Sequence, residues 1–487
     1  VASPVDESGQ VTDQALLDIA DYVCSSDIRS DAAYATARWC LLDALGCAFE
    51  ALSDGCCDRL LGPVVPGGVL SEGARVPGTG YVLDPVAAAF SMGCLIRWLE
   101  LNDAFTGGGH PSDNIAGILA AADYQCRPGG TAARELTMRD VLTWIIKAYE
   151  IQGVISIGNG FAELGLGYDH SALERIATAA VTPAILGGGR KEVFNSLSNA
   201  FADGLPLKVY RQAPNAGTRK CWAGADAVSR GVRLGLLAMA GEMGYPSVLS
   251  AKKHGLYDAC FGGRPFRFDR GYDSYVIENI IFKSTPTGLH SQSAVECAIR
   301  LHPRVIPRLD DVASIRISTQ RAMMGIMDKR GALNNEADRD HCAQYVVAVG
   351  LLYGRLTHGD FSDGFAADPR IDALREKMEI VEDPQYTRDA YDPASRSSPN
   401  AIEIFFTDGT SLPKLAVEYP SGHARCRTEG VAMVEAKFRG GLSKCYGPER
   451  LQQILEASLD GRTLDAMPVR RFMDLLAGPD VNSRLPG

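Results

Sequence analysis

Asp103 and His110 stand seven residues apart, on either side of Gly107-Gly108-Gly109. A carboxylate and an imidazole set across a glycine break are the groups needed to move a proton, provided the chain buries them near a substrate. Taken alone, the pair is equally served by a capped turn in which both bond nearby backbone. Other groups of the same kind recur in stretches otherwise built for burial. His170 follows Glu163-Leu164-Gly165-Leu166-Gly167-Tyr168-Asp169 and opens a helix, where the N-terminal dipole disfavours an imidazolium. Lys208, Arg211, Arg219 and Lys220 put four positive charges around a Pro-Asn-Ala-Gly loop. Lys283 ends the apolar run 275–282, and His290 opens the next helix. Arg339-Asp340-His341 and Tyr345 share a further helical stretch, and Gly422-His423-Ala424-Arg425 lies near a change of texture. Singly, each has a structural reading; Arg339 and Asp340 would make a surface pair, and His423 a loop residue. Together, in an acidic protein, they point to an anion site with at least two histidines and a carboxylate.

The elements that must hold these groups are mostly helices. Asp84-Pro85 is a helix start, a capping carboxylate before a proline that needs no partner in the first turn. Val86, Phe90, Ile96 and Leu99 follow on a helix apolar almost all round, which predicts burial on most sides. Ser112 or Asp113 would cap the next helix, with Ile115, Ile118 and Leu119 facing inward. Helical spacing also marks 31–52, 137–158 with Thr137 as cap, 169–186, 191–202 and the small-residue-rich 222–240. Near Tyr272 the texture changes. VASIRIST (312–319) and AIEIFF (401–406) alternate as strands, and Asp408-Gly409 predicts a tight hairpin turn of type I′ into SLPKLAVEY. Helical pattern returns after Thr428. The prediction is a mainly α protein: a large discontinuous helical domain, residues 1–274 and 425–487, with a smaller α+β lid, residues 275–424. No βαβ alternation, G-x-G-x-x-G or Walker loop is present, so no nucleotide cofactor is expected.

Composition narrows the function further. The 487 residues exceed what one simple core usually holds. A net charge of −10 argues against a nucleic-acid partner. No apolar run is long enough to span a bilayer, and the first residues, VASPVDESGQ, show no secretory signal. The expected location is the cytoplasm, or the mitochondrial matrix if a transit peptide has been removed. Thirteen cysteines are scattered without a C-x-x-C pair, which predicts reduced, mostly buried thiols and no metal or iron–sulfur ligand set.

The chain resembles the 2-methylcitrate dehydratase/cis-aconitate decarboxylase (MmgE/PrpD) family, nearest its 2-methylcitrate dehydratases. The resemblance runs the whole length: CLLDALGCAFEAL, RVPGT, LDPVAAAF, IRWLELND, GHPSDN, KAYEIQG, APNAGTRK, GEMGYPS, ENIIFK, HSQSAVE, GALNNEADRDHCAQY, FTDGT and YPSGHAR. It implies a helical domain with an α+β lid, a homodimer, and no metal or other cofactor. It also implies Asp103, His110, His170, Lys283 and Tyr345 as catalytic residues, with Arg219 and Lys220 competing for a further basic position; the anion-site cluster adds Arg211 and His290 as substrate-binding residues. The implied activity is a hydro-lyase acting on a tricarboxylate, 2-methylcitrate or a longer-chain 2-alkylcitrate. A decarboxylase and an inactive binding homologue are the alternatives. Elimination of water needs one group to take the C–H proton next to a carboxylate and another to protonate the departing hydroxyl. Cations must hold the carboxylates and the enolate-like charge that develops.

Two stretches depart from the family pattern. The segment 104–108 is shorter than its relatives' and lacks their bulky Ala-Glu-Trp. Ser-Thr-Pro-Thr-Gly-Leu (284–289) replaces an apolar run after Lys283. Smaller side chains in both places predict room for a longer alkyl group.

Overall fold

The computed structural model describes residues 12–128, 135–159, 167–211, 214–392 and 394–478. The N-terminal stretch 1–11 and Glu163-Leu164-Gly165-Leu166 lie outside the described residues. Among the described residues the first half is built mainly of the helices α1 (Gln14–Ser25), α2 (Asp31–Asp54), α3 (Pro85–Arg97), α4 (Asp113–Gln125), α5 (Met138–Ser156), α6 (Ser171–Ile185), α7 (Arg190–Ala202) and α8 (Arg219–Met239). Their starts follow local chemistry. Asp84 Oδ1 accepts from Val86 N at 2.9 Å and Ala87 N at 3.1 Å, and Thr137 forms a reciprocal capping box with Asp140. Small residues set how closely the helices approach. A Cβ on Gly93 of α3 would fall 2.7 Å from Ala225 Cα of α8, so these two backbones meet almost directly.

Buried apolar side chains divide into two cores. The first unites α1–α8 with Val276, Ile277, Ile280 and Phe282, and takes in Val434, Phe438, Leu464 and Phe472 from the C-terminal helices. The helix Arg427–Cys445 packs along α2, and its Lys437 Nζ donates to Asp43 Oδ1 (2.6 Å), Leu101 O (3.0 Å) and Lys283 O (3.1 Å). That one ammonium ties the chain's end to α2, to the segment leaving α3 and to Lys283. Residues 276–282, which the change of texture placed with the lid, therefore pack into the helical core.

The second core lies between a four-stranded sheet and the helices Gln292–Val305 and Ala343–Tyr353. Strand order is Met378–Glu382, Val312–Thr319, Asn400–Phe406, Ser411–Val417, the first pair parallel and the others antiparallel. The hairpin turn differs from the type I′ expectation. Gly409 alone takes positive φ (83°), Gly409 N donates to Phe406 O, and Phe406 N donates to Thr410 O, so the loop has three residues with the glycine in the left-handed position. Among the described residues no helix is long and apolar enough to cross a membrane.

Candidate active site

The chain leaving α3 runs through Glu100 at φ 54°, a left-handed position that usually goes to glycine at a helix end. A side-chain-bearing residue there costs about 1 kcal/mol. What Glu100 gains is a node of charge. Its buried carboxylate accepts from Lys283 Nζ at 2.6 Å, lies 3.3 Å from His110 Nε2, and pairs with the Arg97 guanidinium. Lys283 Nζ also donates to the Glu100 carbonyl at 2.9 Å. Burial works against the ionised carboxyl, but Arg97, Lys283 and His110 together hold it well below the usual range. Burial pulls Lys283 down to about 8, against the pull of Glu100.

The glycine break then carries the chain to His110. Gly107 (φ 82°) and Gly109 (φ 75°) take conformations that side chains resist, and a Cβ on Gly109 would fall 2.4 Å from His170 Nδ1. Ala104 and Ile281 exchange backbone hydrogen bonds of 2.9 Å each, which brings the segment bearing Lys283 beside the break. The His110 and His170 rings lie 5.7 Å apart. His110 Nδ1 sits 2.8 Å from the Asp103 carbonyl, so the backbone of Asp103, rather than its carboxylate, aims the ring. The Asp103 carboxylate turns inward, accepting from Ser112 N (3.2 Å) and Tyr149 Oη (2.8 Å), and burial beside Asp43 pushes it up to about 7. Ser112 and Asp113 do not cap α4 with their side chains. Both take hydrogen bonds from Asn102 Nδ2, at 2.9 and 2.8 Å.

His170 stands at the start of α6 with Nδ1 2.8 Å from Glu174 Oε1, one helical turn on. Burial and the nearby Arg211 pull it down to about 4. Arg211 is fixed by Asp169, which also accepts from Ser171 N at 3.1 Å. From the lid come His290, whose Nδ1 meets Gln320 Nε2 at 3.0 Å, and His341, whose Nδ1 lies 2.7 Å from Asp340 Oδ1 and 2.9 Å from Lys220 Nζ. Lys220 also pairs with Asp340 and so joins α8 to the lid. Asp340 is buried in this contact, not part of a surface pair with Arg339.

These groups surround a cavity of about 140 Å³ between the helical body and the lid. Four of the chain's eight histidines line it: His110, His170, His290 and His341. Arg97, Lys208 and Arg211 supply positive charge, with Glu100 the carboxylate among them, and Phe105, Leu289, Ile326 and Met327 form an apolar wall. Of the residues expected from sequence, His110, His170, Arg211 and His290 line the cavity, and Lys283 and Lys220 bond directly to residues that do. Three expected residues do not reach it. Asp103 supports from behind. Arg219 lies half exposed over Trp222 and pairs with Asp226. Tyr345 is inside the lid, its hydroxyl donating to the Asp360 carbonyl at 2.6 Å. Arg97, Glu100 and Glu174 were missed, although charged residues in the otherwise apolar IRWLEL and a glutamate four after His170 were visible signals. The cavity histidines do not converge as metal ligands. Among the described residues, the group of three such side chains whose ligand atoms lie close enough together for a metal ion is Asp54, Cys56 and His358, none of which lines the cavity.

A helical body, an α+β lid and a histidine- and cation-lined cleft between them define a two-domain protein equipped for acid–base chemistry on an anion. The chain belongs to the MmgE/PrpD family: its residues 17–269 match the MmgE/PrpD N-terminal domain and residues 286–461 the C-terminal domain. It is 53% identical over 472 residues to 2-methylcitrate dehydratase of Cupriavidus necator, covering 96% of this chain and 97% of that one. It is 50% identical over 470 residues to 2-methylcitrate dehydratase of Escherichia coli strain K12, covering 95% and 97%. Mitochondrial 2-methylcitrate dehydratase of Yarrowia lipolytica is 46% identical over 477 residues, covering 96% and 91%.

Proposed function

We propose that this protein dehydrates 2-methylcitrate to the corresponding methyl-cis-aconitate. The observation that carries the proposal is the convergence of four histidines with Arg97, Lys208 and Arg211 in one cleft, in a chain about half identical to 2-methylcitrate dehydratases. Three cations suit a trianion, and their burial strengthens each contact to a carboxylate.

The two central histidines differ in what surrounds them. With Nδ1 committed to Glu174, His170 offers Nε2 as a base, and its low affinity for a proton keeps it neutral and ready at pH 7. His110 stands between two acceptors, the Asp103 carbonyl and the Glu100 carboxylate. A neutral imidazole satisfies one of them; an imidazolium satisfies both. Burial, Arg97 and Lys283 drive His110 well below the usual range. A bound trianion offsets those cations and favours the charged ring. His110 then becomes the acid when substrate is present. His170 takes the C–H proton from the methyl-bearing carbon, and the electron pair forms the double bond. The hydroxyl leaves the neighbouring carbon as water with the proton from His110. Arg97, with the Lys283 ammonium behind it on Glu100, stabilises the negative charge that develops on the adjacent carboxylate.

The apolar wall of Phe105, Leu289, Ile326 and Met327 gives the methyl group a seat. Met327 of that wall packs against Gly288, its Sδ 3.0 Å from where a Cβ on that glycine would stand. The hydroxyls of Ser284 and Thr285 turn to Gln292, and Thr287 to the Asp340 carbonyl, rather than opening the cleft. Methylcitrate is therefore the favoured substrate. Association as a homodimer, the family expectation, has a candidate surface in the exposed Val64, Val65, Val69 and Leu70. Mass spectrometry of the product from 2-methylcitrate tests the central reading: loss of water supports it, and loss of carbon dioxide establishes the decarboxylase instead. A higher kcat/KM for butylcitrate than for 2-methylcitrate would return the longer-chain substrate.

A further inference from the structure

Behind His170 lies a second pair of titratable groups that the elimination does not itself use. Asp113 of α4 and Glu174 of α6 are both fully buried. One oxygen of each is engaged: Glu174 Oε1 meets His170 Nδ1 at 2.8 Å, and Asp113 Oδ1 accepts from Asn102 at 2.8 Å. The other oxygens, Glu174 Oε2 and Asp113 Oδ2, have no hydrogen-bond partner among the described residues. Both crowd one point over α8. A Cβ on Gly224 would fall 2.0 Å from Asp113 Oδ2 and 2.9 Å from Glu174 Oε2, so residue 224 can carry no side chain. Arg97 Nε stands off at 3.8 Å from Asp113 Oδ2 and already serves Glu100 through its other end. The remaining charged groups facing the pair are His170, Asp169 and Arg211, with the main-chain N–H of His110.

Two ionised carboxylates meeting without a donor would each leave a buried oxygen unsatisfied and would repel one another. One proton removes both costs, because a protonated carboxyl donates to its neighbour. We propose that Asp113 and Glu174 hold a single proton between them and so act as positioning residues that fix the charge behind His170. Burial pushes both carboxyls up, Glu174 to about 8, in keeping with a proton retained at neutral pH. The pair then carries one negative charge rather than two. That charge is enough to hold the Nδ1–H of His170 toward Glu174, and too small to keep the ring permanently cationic, leaving Nε2 free. The inference rests on the reading of His170 as base, but its first test does not.

Infrared difference spectra of the substrate-free, full-length protein at pH 7, in H2O and D2O, read protonated carboxyls directly. Wild type is compared with Glu174→Gln and Asp113→Asn, both isosteric; if one fails to fold, the other carries the test. In each variant the new amide N–H2 supplies the donor and the remaining carboxyl ionises. Each should therefore abolish the same single deuterium-sensitive carboxyl band, whether or not the protein turns over methylcitrate. Absence of that band from wild type, or two bands of which each variant removes one, overturns the shared proton. The second readout is the acid limb of kcat/KM. Asp113→Asn has the same net charge as the singly protonated pair and keeps that charge on Glu174 beside His170, so this limb should stay where it is in wild type whatever happens to kcat. A downward move of roughly one pH unit or more would mean that the wild-type pair carries two charges, and would overturn the proposal.

Discussion

The pocket inside the lid, about 610 Å³, is several times larger than the 140 Å³ cleft at the glycine break, and it too is ringed by cations. The difference lies in how those cations are compensated. In the lid pocket Lys329 has Asp338, Arg330 has Asp328, Arg339 has Asp363 and Arg375 has Asp372, one carboxylate to each. No histidine lines it. In the cleft Arg211 has Asp169, but one carboxylate, Glu100, is divided among Arg97, Lys283 and His110, and Lys208 makes no ion pair among the described residues. An arriving polyanion would have to break existing pairs in the lid pocket, whereas in the cleft it supplies charge that is missing. Uncompensated charge and convergent titratable groups locate chemistry here better than volume does.

The sharpest way to break this comparison is to remove one group from each region. His110→Ala should fold normally and lower kcat by ~10²-fold or more, the usual worth of a positioned acid. Near-native turnover with an unchanged melting curve would remove His110 from the chemistry. Glu100→Gln keeps the shape of the node and deletes its charge. A loss of ~10-fold in kcat is expected, together with a fall in the pKa governing the alkaline limb, because the carboxylate that favours the Lys283 ammonium is gone. An alkaline limb unmoved in Glu100→Gln would show that Lys283 does not set it.

The wild-type pH profile follows from the same groups. His170 must be neutral to act as base, so kcat/KM should fall as pH drops through about 4. Lys283 must be charged to stabilise the developing anion, so kcat, measured with His110 already charged by bound substrate, should fall as pH rises through about 8. A rate that keeps rising between pH 8 and 10 would contradict the role of Lys283. The smallest effect belongs to the lid pocket. Tyr345→Phe leaves the buried Asp360 carbonyl without its donor, which should cost about 1 kcal/mol in denaturant unfolding and change kcat by less than ~3-fold. A loss near that of His110→Ala would mean that the lid pocket takes part in the reaction after all.

Much of the framework was legible because it rests on local signals. Asp84-Pro85 and Thr137 start their helices as their side-chain chemistry requires, and the small residues of 222–240 pack as closely as their sizes permit. The cleft histidines were legible as polar groups in buried stretches. What the sequence hid was direction. Asp103 and Tyr345 have suitable chemistry, but the chain turns one toward Tyr149 and the other toward Asp360, and spacing along a chain does not report where a side chain points. Glu100 was passed over because it reads as a surface residue at a helix end. Its left-handed backbone turns it inward, and that conformation has no signature in a glutamate codon's worth of sequence. The three-residue hairpin at 407–409 was missed for a related reason, since Asp-Gly suits both loop lengths.

The central claim is that a trianion entering the cleft charges His110. Isothermal titration calorimetry of 2-methylcitrate at pH 7, repeated in buffers of different ionisation enthalpy, counts the protons taken up on binding. Wild type should take up a substantial fraction of one proton, and His110→Asn, which keeps a donor toward the Asp103 carbonyl, should lose that uptake while still binding. Binding without proton uptake in wild type, or uptake that persists undiminished in His110→Asn, would contradict the account.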